Sequence, residues 1–352
     1  MKILLSVLGV TTLLAATASH GVGQVVAGPH GPVEFVGLQS WKAPDLLEAI
    51  QRIDPDQPLH ACAATMKSEL GFPDAAVFIY LESGTDWSRR YTVIVGIEDS
   101  ARVRYRTAGT RTIDLPEPWQ ALKTVAEEDF GTLVLAAEIS SVRHDSEKVR
   151  ESAEIRGLDP AALDAIWRLI DALNGEQDRL LAHELSAHDA SWSTRAAAVS
   201  VLVSFGEDDA SWHRLVSSLI DPDGRVQTVA GAVLRGLLGA EENRSVRWES
   251  AQEPLMALLD GTNLFAFPTV LELLAATEIA PAFGRHLIRN APDLLLAYVG
   301  AEHEGTRESA IDFLKFVSGE DFGANPEAWS EWLSRPRDSV HRTSAPRRGL
   351  PG

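Results

Sequence analysis

The sequence of 352 residues predicts a mixed, mainly α-helical fold. A small βααββ domain is expected at 33–115 and an α-solenoid of helix pairs at 116–335. Runs of β-branched and aromatic residues predict the strands, whereas apolar residues recur at intervals of three and four beyond Pro116. The apolar face of residues 226–238 returns 32 positions earlier and 80 positions later. Such self-similarity is typical of stacked repeats.

Composition narrows the class of protein. The chain is 45% hydrophobic and 23% charged, which is typical of a globular protein. Its 50 acidic residues outnumber 32 basic ones, so the net charge is −18. General attraction to phosphates or anionic lipid is therefore missing, and no nucleic-acid partner is expected. The single cysteine, Cys62, excludes a disulfide scaffold, and its apolar neighbours predict a buried, non-catalytic thiol.

The first residues are typical of an export signal. Met1-Lys2 is followed by a run of apolar residues and by Ala16-Thr-Ala18, a small-x-small cleavage site. The run is too short to span the roughly 30 Å of bilayer hydrocarbon, which makes a permanent anchor the weaker alternative. We therefore predict a signal peptide at 1–18, an exported periplasmic or extracellular protein, and no stable membrane insertion after cleavage.

Residues 19–32 are rich in glycine and proline and are predicted to be a linker. The next segments read in the order strand, helix, helix, strand, strand: 33–38, 43–53, 59–70, 75–81 and 91–97. With Val36-Gly-Leu at the first strand end and Glu69-Leu-Gly-Phe-Pro-Asp-Ala before the second strand, the segment resembles a POTRA domain. The resemblance implies an exposed sheet edge that accepts an extended partner segment. The alternative is a small α+β cap on the helical array.

The helical part contains a recurring motif. Ser218-Leu-Ile-Asp-Pro-Asp-Gly-Arg-Val226, followed by Ala230-x-x-Val-Leu234, resembles a HEAT repeat, and 188–202 is a second copy. Ala198, Ala230 and Ala310 occupy the positions where paired helices approach closely. The resemblance implies a solenoid that binds other macromolecules.

The end of the array is also recognisable. Asn325-Pro-Glu-Ala-Trp329 combines an N-cap residue with a first-turn proline, which predicts a capping helix. Residues 336–352 lack apolar periodicity and carry several arginines, so we predict a disordered basic tail.

One motif suggests metal chemistry. His183-Glu184-Leu-Ser-Ala-His188 is similar to the His-Glu-x-x-His motif of zincins, in which both imidazoles bind one zinc and the glutamate polarises water. Here the spacing is five, which places the rings about 140° apart on a regular helix. The structural interpretation has His183 facing solvent and His188-Asp189 opening an inter-helix turn. A secreted zinc-dependent hydrolase remains the alternative function, and the main prediction includes no metal and no cofactor.

The second helices of the repeats carry arginine at outward positions, namely Arg195, Arg235 and Arg307. We predict that these form a basic track for an acidic peptide or glycan. The alternative is that Arg195 and Arg307 bond to the neighbouring turn. The sequence thus predicts a non-enzymatic, exported interaction scaffold that binds a protein or an extended peptide, and it leaves the partner's identity and the oligomeric state open.

Overall fold

The computed structural model describes residues 23–55, 58–81, 90–240 and 244–335. The predicted signal peptide (1–18) and the predicted basic tail (336–352) lie outside these ranges and stay predictions. The described chain is mixed and mainly helical, with a four-stranded sheet near its N-terminus followed by a long helical region. The predicted fold class is confirmed.

The sheet contains strands β1 (Gln24–Gly28), β2 (Gly31–Val36), β3 (Asp74–Leu81) and β4 (Arg90–Ile97). Their spatial order is β1-β2-β4-β3. Strands β2 and β4 are parallel, and the other two pairs are antiparallel. Between β2 and β3 the chain forms helices α1 (Ala43–Ile53) and α2 (Cys62–Ser68). The predicted order strand, helix, helix, strand, strand is confirmed from β2 onward.

The predicted linker at 19–32 is wrong in its described part, because β1 forms a hairpin with β2. Gly28 lies opposite Gly31, so Pro29 and His30 are the two residues of the turn. Gly31 has a φ of 134°, which L-residues with a side chain rarely adopt. The glycine and proline residues that led to the prediction of a linker are therefore those of a tight turn between two strands.

The sheet is buried on both faces. Val33, Phe35 and Ile94 pack with the residues of α1 and α2 in one core. On the other face, Val93 and Val95 belong to the large core of the helical region. The predicted boundary at 115/116 therefore does not separate two cores, because the sheet closes one side of the helical core.

Fourteen further helices follow within the described ranges. They are α3 (Glu117–Glu128), α4 (Phe130–Glu138), α5 (Ser146–Arg156), α6 (Pro160–Asp171), α7 (Glu176–His188), α8 (Trp192–Val201), α9 (Asp209–Ser218), α10 (Gly224–Leu238), α11 (Gln252–Asp260), α12 (Phe267–Ala276), α13 (Pro281–Asn290), α14 (Asp293–Val299), α15 (Glu304–Ser318) and α16 (Pro326–Ser334).

These helices form a solenoid-like array of two rows. Helices α8, α10, α12 and α15 are successive neighbours in one row, and their partners α7, α9, α11 and α14 form the other. Ala198, Ala230 and Ala310 are fully buried, as predicted for close helix contacts. Helix α13 is an additional helix in the last unit, and α16 packs on α13 and α14. The Asn325 side chain accepts a hydrogen bond from Ala328 N, as expected of an N-cap.

Helices α3 and α4, the first two of the helical region, cover part of the array. Helix α3 packs on α8, and α4 packs on α10. The crossing of α4 and α10 depends on Gly236, since a Cβ there would overlap the carbonyl oxygen of Ala137 and the Oγ of Ser140. Arg195 of α8, which was predicted to face outward, is consequently buried, as is Ser200.

Residues 98–115 form an extended segment that we call the strap. It leaves β4, contains one short 3-10 turn at Ser100–Arg102, and crosses the turns between paired helices. In order, the backbone of Arg104 contacts Thr262, that of Arg106 contacts Ile220, and that of Arg111 contacts His188. The strap therefore runs along one edge of the array, opposite to the order of the repeats.

Candidate binding site

Arg195 is a structural residue rather than a binding residue. Its guanidinium forms two hydrogen bonds of 2.9 Å with the carboxylate of Asp221, and both side chains are buried. Its Nη1 also donates to the carbonyl oxygens of Asp189 and Ala190 at 3.1 and 3.0 Å. The prediction that Arg195 belongs to an exposed basic track is wrong.

The same position closes a turn in two further helix pairs. Gln227 donates through Nε2 to the carbonyl oxygen of Asp221, six residues earlier. Arg307 donates through Nη1 to the carbonyl oxygens of Ala301 and Glu302, at 3.2 and 3.0 Å. Carbonyl groups at the end of a helix lack partners within it, so a long donor side chain on the following helix satisfies them. The basic-track prediction is therefore wrong for Arg307 too, and the alternative of a bond to the turn is confirmed.

Sequence reasoning missed the arginines of the strap. Arg106 pairs with Asp221 and donates to the carbonyl oxygens of Ser186 (2.6 Å) and Ala187 (3.0 Å). Arg102 and Arg104 both pair with Asp260. The sequence did contain a signal for these residues, because arginine recurs at every second position, at Arg102, Arg104 and Arg106. Such spacing indicates an extended segment with basic side chains on one side.

The sheet is held to the array by buried carboxylates. Glu34 is inaccessible to solvent, and its carboxylate accepts hydrogen bonds from Glu302 N (2.6 Å), His303 N (3.1 Å) and Tyr91 Oη (3.2 Å). The imidazole of His303 stacks on the ring of Tyr80, with centroids 4.0 Å apart. The first turn of α15 thus begins against the sheet.

The zincin-like motif does not assemble as a metal site. Helix α7 is continuous from Glu176 to His188. His183 is half-buried, with Nε2 3.4 Å from the Oγ of Ser211, so the expectation that it faces solvent is wrong. Glu184 pairs with Arg111 at 2.9 Å, and His188 is exposed. Among the described residues, no group of three or more His, Cys, Asp and Glu side chains is arranged to hold a metal ion.

His183 makes the fold sensitive to acid. Burial, then the charge of Arg214 and that of Arg179, hold the pKa of His183 below its ordinary value of 6.5, although Asp208 acts in the opposite direction. The folded state therefore favours the neutral imidazole. The resulting contribution to stability is complete above pH 6.5 and is lost as the pH falls toward the lower pKa of the folded state. We expect His183→Gln to reduce the loss of stability between neutral and mildly acidic pH.

Urea unfolding at a series of pH values measures this effect. The difference between His183→Gln and the wild type at mildly alkaline pH, where the imidazole is neutral in both states, serves as the baseline. An identical pH slope for both proteins would contradict the assignment.

A cleft of about 370 Å³ lies between the sheet, the strap and the row of helices that contains α10 and α12. Residues of α2, β3, the strap, α10, α12 and the short turn before α12 line it, among them Lys67, Tyr105, Gln227, Arg235, Phe265 and Thr269. Of the three predicted binding arginines, Arg235 is thus the one that lines the cleft. It is paired with Glu138 at 3.3 Å, and its side chain remains 36% exposed.

The cleft combines aromatic and cationic groups. Phe265 stacks on Phe78 with ring centroids 5.8 Å apart, yet Phe265 is 62% exposed. Tyr105 is also exposed at the cleft. Lys67 lies 3.7 Å from Asp74 and keeps about half of its side chain in solvent. Exposed rings beside cations suit a ligand with both apolar and acidic groups.

The outer edge of strand β3 borders this cleft, where Asp74 and Ala75 are themselves buried and Ala75 N donates to the Asp74 carboxylate at 2.9 Å. Strand β3 is the last strand of the sheet, and its first residues, Asp74 and Ala75, line the cleft. No backbone group of the described residues outside β4 pairs with β3. The Asp74 carboxylate accepts a hydrogen bond from Leu264 N at 3.0 Å, which fixes the strand against the start of α12. Unpaired edges of this kind can accept an extended segment as an additional strand.

Cys62 lies outside the cleft. It is fully buried, as predicted, and burial raises the pKa of its thiol to about 12. A thiol in this environment remains protonated at neutral pH and packs as a small apolar side chain.

None of the described helices has, by itself, both the length and the apolar composition of a membrane span. The segments Glu249–Asp260 and Leu264–Ala276 meet these criteria only as a pair, and the pair bends by 104° at its break.

Comparisons of the chain with models of known protein families, with curated proteins and with solved structures found no match. The architecture itself is the available description of this protein. A small sheet and an extended strap contact a two-row array of helices, and a cleft opens where these three parts meet.

Proposed function

We propose that this protein is an exported, non-enzymatic interaction scaffold that binds an extended segment of a partner protein in the cleft. The observation that carries the proposal is the unpaired edge of β3 beside a cleft with exposed aromatic rings and cations. An extended peptide can pair its backbone with such an edge while alternate side chains enter the adjoining cleft.

The cleft suits a particular kind of peptide. The exposed rings of Phe265 and Tyr105 offer apolar area to one side chain of the segment. Lys67 and Arg235 retain exposed ammonium and guanidinium groups that can form charge-assisted hydrogen bonds with an acidic side chain. A segment that alternates or closely combines apolar and acidic residues therefore fits best.

The surrounding structure favours binding without large rearrangement. Asp74 fixes the start of β3, Asn263 donates to the carbonyl oxygen of Leu219 at 2.8 Å, and Gln227 is held by the turn before α10. Groups fixed before the ligand arrives lose little conformational entropy on binding, which favours affinity.

Site-specific photo-crosslinking identifies the partner. A photoreactive side chain is placed at Phe265 or Thr269 in the cleft, and at Ile155, which is 78% exposed on α5, as the control. After exposure to a cell-envelope extract, mass spectrometry maps the crosslinked segment, which is then synthesised and its affinity measured. We expect one extended segment, with apolar and acidic residues, from both cleft positions and not from Ile155. Crosslinks to unrelated sequences, or equally from Ile155, would contradict the proposal.

Gly231→Leu is expected to block the cleft without disturbing the fold. Gly231 lies on α10 in the cleft wall, and the nearest atom to an added Cβ is the flexible end of Arg235, 3.4 Å away. We expect the synthetic segment to lose at least about tenfold in affinity, equivalent to about 1.4 kcal/mol. Thermal melting of the variant should be unchanged or slightly higher, because leucine favours a helix more than glycine does.

Gly131→Leu is the matched control. Gly131 is an exposed helical glycine on α4, with open space around an added Cβ. This variant should bind the segment as tightly as the wild type. Unchanged affinity in Gly131→Leu and Gly231→Leu alike would exclude the cleft as the binding site.

Export rests on the pattern at 1–18 and is tested separately. Expression of the full chain with its leader in a bacterial host is expected to yield a mature protein that begins after Ala18, as measured by intact mass, in the periplasmic or extracellular fraction. An uncleaved chain would contradict this part of the proposal.

A further inference from the structure

Asp74, the first residue of β3, is a buried carboxylate in the wall of the cleft. It is 4% exposed, and its two oxygens accept hydrogen bonds from Ala75 N at 2.9 Å and Leu264 N at 3.0 Å. A carboxylate removed from water is costly unless its negative charge is well compensated. The charged groups around Asp74 therefore decide whether it stays ionised.

Titratable groups from three elements face Asp74. Lys67 of α2 lies 3.7 Å from the carboxylate, beyond hydrogen-bond distance, and keeps about half of its side chain in solvent. Burial, and to a smaller extent the charge of Asp74, raises the pKa of Tyr105 in the strap and of Tyr298 in α14. The ion pair with Lys67 is long and reached by water, so it offsets only part of the cost of burying the carboxylate.

Burial has the largest effect on the carboxyl group. It raises the pKa of Asp74 above the ordinary value of 3.8, although the N–H of Leu264, the charge of Lys67 and the N–H of Ala75 act in the opposite direction. An anionic side chain bound beside Asp74 would raise this pKa further, since like charges disfavour the ionised form. By linkage, a proton on Asp74 and an acid in the cleft then favour each other's binding.

We propose that the cleft couples binding of its acidic partner segment to the uptake of one proton by Asp74. This regulation rests on the proposed function, because it acts on a segment bound in the cleft. The proton comes from solvent and removes the negative charge that competes with the segment for the ammonium group of Lys67. The cleft therefore binds its partner more tightly in mildly acidic solution than at neutral pH.

Urea unfolding at a series of pH values tests the titration of Asp74 without any partner. Asp74→Asn keeps the size of the side chain but cannot take up a proton, so its difference from the wild type isolates this group. Because folding raises the pKa, the stability that protonation contributes is present at low pH and is lost as the pH rises through the folded-state pKa. The urea midpoint of the wild type should therefore rise relative to that of Asp74→Asn as the pH falls from about 7 toward 4. A constant difference, or a relative fall, would overturn the proposal.

Lys67→Gln provides a second test if Asp74→Asn does not fold. Lys67 is half-exposed, so its replacement leaves the core intact. Without the nearby ammonium group the pKa of Asp74 rises further. The acid-linked gain in the urea midpoint should then begin at a higher pH than in the wild type, and an unchanged pH profile would contradict the role given to Asp74.

Calorimetric titration measures the coupling itself. The synthetic segment recovered from the cleft crosslinks is titrated into the full chain in two buffers of different ionisation enthalpy. We expect proton uptake by the wild type near pH 6 and about threefold tighter binding, or more, at pH 5.5 than at pH 7.5. The acidic side chains of the segment, with ordinary pKa values near 4, remain ionised over this range.

Two carboxylate-to-amide variants identify the group that takes up the proton. Asp74→Asn should show no proton uptake and should bind more tightly than the wild type at neutral pH. Glu48→Gln removes an exposed charge on α1 and should behave like the wild type. Binding without proton uptake and with equal affinity at both pH values would overturn the coupling and leave the proposed function standing, whereas no binding at either pH would overturn both.

Discussion

Asp221→Ala is expected to destabilise the protein by about 3–5 kcal/mol, the cost typical of removing one partner from a buried ion pair. The Asp221 carboxylate has no solvent exposure and serves Arg195, Arg106 and the backbone N–H of Asp223. Its removal leaves the guanidinium of Arg195 buried without a counter-charge and removes the ion pair between Arg106 of the strap and the turn between α9 and α10. The backbone bond from Arg106 N to Ile220 O remains, so the strap loses one of its two bonds to this turn.

Urea unfolding followed by circular dichroism measures this loss. Asp223→Ala, two residues away, is the matched control, because Asp223 caps α10 through Arg225 N and its removal should cost only about 1 kcal/mol. Similar midpoints for the two variants would show that Asp221 does not hold the strap and the repeats together.

Gly236→Leu is expected to destabilise the protein by about 1–3 kcal/mol, the usual cost of overpacking a core. A Cβ at this position would overlap the Ala137 carbonyl oxygen and the Ser140 Oγ, and the backbone of α4 cannot yield as a flexible side chain can. Removing glycine from a helix interior gains up to about 1 kcal/mol, so the overlap outweighs the gain in helix propensity.

The comparison with Gly231→Leu isolates the cause. Both glycines lie on α10 and receive the same substitution, yet an added Cβ at Gly231 makes ordinary contacts, 3.4 Å from the flexible end of Arg235 and 3.9 Å from Leu219 Cδ2. Gly236→Leu should unfold at a lower urea concentration than the wild type, whereas Gly231→Leu should not. Equal stabilities would mean that α4 does not cross α10 as closely as described.

Local patterns predicted most of the helices. Helix α10 and its copies were recognisable because apolar side chains at every third or fourth position bury one face of each helix, a property of the segment itself. The capping role of Asn325 is equally local and was predicted. β1 was missed because the Gly-Pro-rich turn that creates its hairpin has the composition of a linker.

The contacts between distant segments were beyond such patterns. Arg195 and Arg307 occupy outward positions by helical periodicity, but their role is decided by carbonyl groups of the preceding turn, which the three-dimensional path of the chain brings near. Likewise, the cleft joins Lys67, Tyr105 and Phe265 only because the sheet and the strap fold back onto the array. The residues that flank these three positions in the sequence do not indicate that the three side chains line the same cleft.

The strap changes how the repeats can move. In a solenoid without such a segment each helix pair contacts only its neighbours. The pairs can therefore unfold one at a time, and the array bends elastically along its length. Here one continuous segment bonds to the turns of three successive pairs, and Glu34 of the sheet bonds to the turn of a fourth. Opening any one pair therefore breaks bonds to the strap or the sheet as well as contacts with its neighbours. The array should resist stretching and lose its structure in few cooperative steps, and the stabilities of its helix pairs should not add as nearest-neighbour terms alone.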